Sequence, residues 1–508
     1  MNIKSNNNFD FTNKYVFEKY NTPEKRKKQF NKLCENKREF INKIYLVGFG
    51  SVGRPLLWVL FKILEINPNN VTIIDERDIT EEFKKLFKFN IKTIKTRLSK
   101  NNFNELMKDL SYNDLIIDAA DELSTIDIMN LCQERGANYI SSCIQDWNKF
   151  NNYTTNKLYF EQSIFSLHNK INDFNNKIKH KNFNAIVSMG CNPGNVSIWT
   201  KFGLLKIADE KKIKIENKDY NVISKEIGLQ TLHISEKDTQ ISSIPKKINE
   251  YCNTWSMSIK SYFGEGLSCL EISLGTHEPK IEKNIVYNDN SFIISSKIGI
   301  YSYAQSWIPF CNRIIGNLIP HDESNTIGQK LTIKNKNGDI KYKPSVYYVY
   351  HACNDAMLSV DELKQNTENY QNNYRCLTNE IIDGRDILGL TYFLEDKSVY
   401  WIGSLLSIQE ARDLFDNQIN EFINATNVQV LSGYISGILY IMDLGNQKLG
   451  KLTPDDIPEY IIRYQLPFLG EFIFDKANNF NLTIVENNIN TKVDKTNEWT
   501  FNNFIIEY

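Results

Sequence analysis

The sequence predicts an α/β protein: a parallel sheet covered by helices on both faces, followed by a mixed α+β region. Three observations predict it. INKIYLVGFGSVGR, residues 41–54, is an apolar strand running into glycines at 48, 50 and 53. Short β-branched runs then alternate with helical stretches up to about residue 195. Beyond 195, the strand-like runs are separated by longer irregular segments.

Taken in order, residues 1–40 are polar and lysine-rich and read as an irregular N-terminal extension. IYLVGFG is the first strand, RPLLWVLFKILE a helix and VTIIDERD the second strand. FNELMKDL is helical, DLIIDAAD a strand, TIDIMNLCQERG a helix stopped at Gly136, and ANYISSC a further strand. Strands alternating with helices need parallel pairing, so residues 41–195 read as a Rossmann-type dinucleotide-binding domain. Residues 148–185, rich in Asn and Lys, read as an insertion over its surface. Residues 196–423, with GLQTLHIS, NTWSMSI, PSVYYVYHA and SVYWIGSLL as strands, read as a mixed α+β domain. Residues 424–508 form a C-terminal segment that packs back on the first domain. Its run VQVLSGYISGILYIMD, residues 428–443, is shorter than the roughly 20 apolar residues a bilayer needs. Small residues suit it to close packing as a buried helix near 424–445 that completes the first domain.

At 508 residues, 41% hydrophobic and 24% charged with a formal charge of −1, the chain offers no electrostatic reason to bind nucleic acid or an anionic membrane. Nine scattered cysteines without a CxxC pair point to reduced thiols in a cytoplasmic compartment. The N-terminus MNIKSNNNFDF lacks an apolar core and does not read as a signal peptide. No HExxH or Cys/His spacing marks a metal site, and no GxSxG elbow marks a serine hydrolase.

Glycines turn chains for many reasons, but Gly48, Gly50 and Gly53 lie between a strand and a helix, the context a dinucleotide motif requires. Gly48 permits the turn, Gly50 lets a pyrophosphate approach the backbone, and Gly53 lets helix and strand pack. Ser51 and Val52 complete the helix N-terminus, whose free N–H groups suit phosphate. Asp75 closes the second strand where an acid bonds the adenosine ribose and repels a 2′-phosphate, so NAD is favoured, with Arg77 nearby tempering the choice. Asp118 and Ala119, closing the next strand, belong to the same expected cofactor set. In SMGCNPGNVSIW the turn at Asn192 reads equally as a proline-started helix or as a polar contact at the nicotinamide end.

HISEKDTQ (233–240), NTWSMSIKSYFGEG (253–266), LIPHDES (318–324) and VYHACNDA (349–356) set acids and histidines among aromatic residues. Such a pocket needs a cation to be worth burying, and the face of Trp255 attracts ammonium by about 0.5–2 kcal/mol. Each has a plain alternative: Trp255 as a core residue, Glu236 with Lys237 as a surface ion pair. The recurrence is what points to a basic substrate.

Together with GFGSVG, CNPGNVS, EISLGTHE, SWIPF, VYYVYHACNDAMLS, YWIGSLLS, NATNVQV and QLPFLGE, these blocks resemble, in order from about residue 41 to 470, the bacterial-type homospermidine synthases, relatives of the saccharopine dehydrogenase-like enzymes. The resemblance implies a cytoplasmic homodimer, with residues 196–423 as its substrate-binding and dimerisation domain. It implies NAD that is used without being consumed: putrescine loses hydride to become an iminium, a second putrescine attacks, ammonia leaves, and the hydride returns to give homospermidine. Spermidine serves as an alternative donor, releasing 1,3-diaminopropane. The expected catalytic residues are Trp255, Glu236 and His321, and the expected substrate contacts are Asn192, Glu265, Glu323, Asp355 and Gln145. One departure stands out. CIQDW, residues 143–147, carries Gln145 where the family has glutamate, with Asp146 beside it, which leaves the amine preference open. Two rival readings are a net imine-, opine- or saccharopine-type NAD dehydrogenase, which calls for arginines at the pocket, and a non-catalytic NAD-binding regulator.

Overall fold

The computed structural model describes residues 19–121, 123–147, 163–216, 218–256, 264–279, 292–365, 373–482 and 497–506. Its first sheet has seven parallel strands, in the spatial order Gly450–Leu452, Asn184–Ile186, Asn138–Ser141, Leu115–Asp118, Ile44–Val47, Val71–Asp75 and Lys92–Lys95. Helices cover both faces, so Ile44–Val47 and Leu115–Asp118 are buried at every position. That is why they read as unbroken apolar runs instead of alternating ones. Ile44–Val47 lies between Val71–Asp75 and Leu115–Asp118, at the point where the strand order reverses. A crevice opens there, beyond the carboxyl ends of the strands.

The reading of residues 1–40 as irregular is corrected for the part described. Pro23–Glu35 is a helix capped by Thr22, with Phe30 edge-on to Phe468 at 5.3 Å and Arg26 buried on Glu410 at 2.6 Å. Arg38–Phe40 pairs in parallel with Leu64–Ile66. A few apolar side chains on one face dock the segment even though its average composition is polar. The insertion is also only partly superficial. Residues 148–162 lie outside the described residues, but the helix Ile164–Lys177 buries Leu167, His168 and Ile171, and Asn184–Ile186 joins the sheet.

The second sheet has ten strands. Its main path runs Glu471–Lys476, Val399–Ser407, Arg385–Leu394, Leu229–Asp238, Ser345–His351, Asn312–Ile319, Tyr303–Ile308 and Ile505–Ile506, with Cys269–Ser273 and Phe292–Ile298 attached beside it. Only Leu229–Asp238 and Ser345–His351 pair in parallel along that path. Of NTWSMSI, Asn253 ends the short strand Tyr251–Asn253 and residues 257–263 lie outside the described set. Alternation puts Leu232 and Ile234 in the core shared with the first domain, while Phe393 and Trp401 face the C-terminal segment with Trp499 and Phe504.

The late apolar run is the helix Ala425–Leu444, capped by Asn424 and Asn427 in a reciprocal box. It packs so closely on the first domain that a Cβ at Gly433 would lie 2.0 Å from the Gly190 carbonyl oxygen. No helix among the described residues is long and apolar enough to cross a membrane.

Candidate active site

Between the carboxyl ends of the parallel strands and one face of the second sheet lies a cavity of about 570 Å³. At one end it is walled by Gly48, Gly50, Ser51, Val52, Asp75 and Ala119. Gly48 has φ +89°, and a Cβ there would stand 2.5 Å from the Ala119 carbonyl oxygen. A Cβ on Gly53 would stand 2.1 Å from the Gly48 carbonyl oxygen. Glycine at both positions therefore lets the chain turn tightly and the helix Gly53–Ile63 begin, with no side chain capping its N-terminus. An open helix start at the rim of a crevice fits a pyrophosphate.

Asp75 does more than the sequence suggests. Its Oδ2 accepts from the Phe49 N–H at 2.7 Å, and its Oδ1 accepts from the Arg77 N–H at 2.9 Å and Nε at 3.1 Å. It braces the glycine turn from a position on the cavity wall. Asp118 is not on that wall. Its carboxyl accepts from the Tyr139 hydroxyl at 2.7 Å and the Ala120 N–H at 3.2 Å, and burial raises its pKa to about 7. The expectation of a direct cofactor contact by Asp118 is corrected: it shapes the turn carrying Ala119.

At the other end the wall includes Gln145, Asn192, Glu236, Trp255, Glu265 and His321. Strand register explains the meeting of distant residues. Glu236 lies beside Tyr350 in one neighbouring strand and Leu388 in the other. Its Oε2 accepts from the Tyr348 hydroxyl at 2.6 Å and from Asn192 Nδ2 at 2.9 Å. Burial pushes Glu236 up to about 7, with Asp238 adding to the shift and the hydrogen bonds from Tyr348 and Asn192 opposing it. Asp386 is fully buried, and burial with Glu236 and Asp238 beside it holds its carboxyl well above the usual range.

Trp255 is fixed through its backbone. Its N–H donates to Asn253 Oδ1 at 3.0 Å, and its carbonyl accepts from Ser51 Oγ at 3.1 Å, joining the two ends of the cavity. Its ring meets Tyr350 edge-on at 5.9 Å, and Tyr350 stacks on Tyr348 at 5.6 Å. His321 Nδ1 lies 3.1 Å from both oxygens of Glu323. Burial disfavours the imidazolium, but Glu323, with weaker help from Glu265 and Asp322, outweighs it and lifts His321 to about 9.

Two further expectations are corrected. Glu323 does not line the cavity; fully buried, it stands behind His321 and holds the ring. Asp355 is also absent from the wall: the chain leaves the cavity at Tyr350, and Asp355 opens the next helix near Arg375, Glu250 and Lys246. Gln145 is on the wall, its Oε1 accepting from the Leu123 N–H at 3.3 Å, whereas Asp146 is exposed and takes no part. Asp322, Tyr348 and Tyr350 were missed as wall residues. Alternation along VYYVYHA placed the two tyrosines on one face, and that signal was available. Among the described residues no group of three or more His, Cys, Asp or Glu side chains can hold a metal ion.

Residues 44–178 match the family model for the saccharopine dehydrogenase NADP binding domain. Over 454 residues the chain is 29% identical to a homospermidine synthase of Mesorhizobium japonicum, covering 85% of this chain and 90% of that one. Over 478 residues it is 29% identical to a homospermidine synthase of Blastochloris viridis, covering 91% and 97%. The crystal structure of homospermidine synthase from Legionella pneumophila in complex with NAD superposes with a TM-score of 0.80 at 30% identity, covering 93% of this chain and 99% of that one.

Proposed function

This chain belongs to the homospermidine synthase family, an NAD-using group of transferases, and on that premise we propose that its cavity joins two diamines by aminobutyl transfer. Two putrescines give homospermidine and ammonia, or spermidine and putrescine give homospermidine and 1,3-diaminopropane. What NAD supplies when bound is a place for one hydride to be held and then returned. The observation that carries the reading is the convergence of Glu236, Asn192, Tyr348, Trp255, Glu265 and His321 on one cavity continuous with the glycine turn.

A reacting amine must lose a proton, and Glu236 near neutrality takes it. Asn192 and Tyr348 fix the carboxylate oxygen that does so. Trp255 and the acids stabilise the cationic carbon–nitrogen centre without offering it a nucleophile. The aromatic wall of Trp255, Tyr348 and Tyr350 excludes water, which hydrolyses an iminium to an aminoaldehyde. His321, held as imidazolium by Glu323, donates a proton to the departing amine. Among the described residues the cavity's arginines, Arg77 and Arg97, lie at the Asp75 end, so no described arginine stands beside Glu236 to meet a substrate carboxylate. This disfavours a net amino-acid or opine dehydrogenase. The reading carries a cytoplasmic homodimer with it; the nine free thiols support the compartment, and the dimer rests on the resemblance.

The test uses putrescine carrying deuterium on the amine-bearing carbons, with catalytic NAD. Homospermidine that keeps the transferred deuterium, without reduced cofactor accumulating, supports the reading. Stoichiometric reduced cofactor with an aminoaldehyde overturns it. Two further results follow. A Gly48→Ala substitution forces a side chain into a left-handed conformation and onto the Ala119 carbonyl, and is expected to weaken NAD binding about tenfold or more, measured by titration. The pH profile of kcat/KM is expected to be bell-shaped. It rises as Glu236 loses its proton near 7 and falls as His321 loses its own near 9; a flat profile from pH 6 to 10 removes both assignments.

A further inference from the structure

Asp322 has a place on the cavity wall and, in the roles assigned above, no contact with substrate. It opens the helix Asp322–Lys330 and is 4% exposed. Its Oδ1 accepts two hydrogen bonds, from His168 Nε2 at 2.8 Å and from Ser188 Oγ at 3.0 Å. A carboxylate only accepts, so the first bond requires the proton of His168 to sit on Nε2. No described residue donates to Oδ2, so one oxygen of a nearly buried carboxylate is left for whatever fills the cavity.

Both donors are held from behind. His168 is 1% exposed on the helix Ile164–Lys177. That helix is clamped at its start by Glu271 of the second sheet, which accepts from the Ile164 N–H at 2.8 Å and the Phe165 N–H at 3.0 Å. Ser188 sits at φ +61°, in the left-handed region that a residue with a side chain rarely enters. A buried acceptor this well supported is costly until a donor reaches it. At this end of the cavity His321 is held on Glu323, an ammonium of the substrate is the donor that can reach Oδ2, and Gln145 brings no negative charge of its own to compete for it.

The geometry points to Asp322 as an ammonium anchor for the diamine, with His168 and Ser188 as the residues that position it. This rests on the diamine reading given above. Asp322→Asn keeps an acceptor for His168 and Ser188 but turns a donor towards the cavity. Calorimetric titration of the NAD-loaded enzyme with putrescine is expected to show affinity lower by about tenfold or more, with NAD affinity and thermal midpoint unchanged. His168→Gln, which retains a donor, is expected to keep most of the putrescine affinity. His168→Leu is expected to match Asp322→Asn, and the double variant to be no weaker than Asp322→Asn alone. Putrescine affinity unchanged in Asp322→Asn overturns the anchor. Equal losses in the Gln and Leu variants overturn the positioning role of His168. A wild-type enzyme that binds NAD but no diamine overturns the diamine reading and this inference with it.

Discussion

Replacing Glu236 by glutamine is expected to lower kcat by about 10²-fold or more, the usual contribution of a positioned acid–base group, and to remove the acid limb of the pH profile. The substitution preserves shape and leaves an oxygen for Tyr348 and Asn192, so the loss reports the missing base. Glu236 is 3% exposed and holds its charge on the hydrogen bonds from Tyr348 and Asn192. Glutamine needs no such help, so the fold tolerates it. NAD affinity, set at the far end of the cavity, is expected to stay close to wild type. An enzyme that retains its rate and its acid limb assigns proton abstraction elsewhere.

Trp255→Leu is expected to lower kcat by roughly 30-fold or more, the kinetic equivalent of a desolvated cation–π contact of about 2 kcal/mol. It is also expected to release an aminoaldehyde, because water reaches the cation once the indole is gone. Trp255→Phe keeps an aromatic face and is expected to lose less. The contacts of residue 255 to Asn253 and Ser51 run through its backbone, so neither variant should disturb the glycine turn. Parallel losses of NAD affinity and turnover in both variants assign the indole a packing role instead.

The sequence by itself determined the strands and helices around the glycine turn and the nucleotide end of the site. Strands buried on both faces read as continuous apolar runs, and a strand, glycine turn and helix contiguous in the chain form one local unit. The residues around Gly48 and Asp75 are therefore legible in order, as is the buried helix Ala425–Leu444. The family blocks likewise carried Asn192, Glu236, Trp255, Glu265 and His321 to the cavity, and the departure at Gln145 lies on its wall too.

Only the tertiary structure decided the neighbours. Asp386 comes to lie near Glu236 because strands more than a hundred residues apart pair in one register, which no local spacing encodes. His168 reaches Asp322 because Glu271 clamps a helix in a segment whose composition reads as surface. Glu323 and Asp355, both in motifs full of site residues, fall behind the wall or beyond it, since a chain that turns into a helix rotates successive side chains off the face its strand presented. Residue type is a property of the chain, but the face it serves depends on which strands and helices meet there.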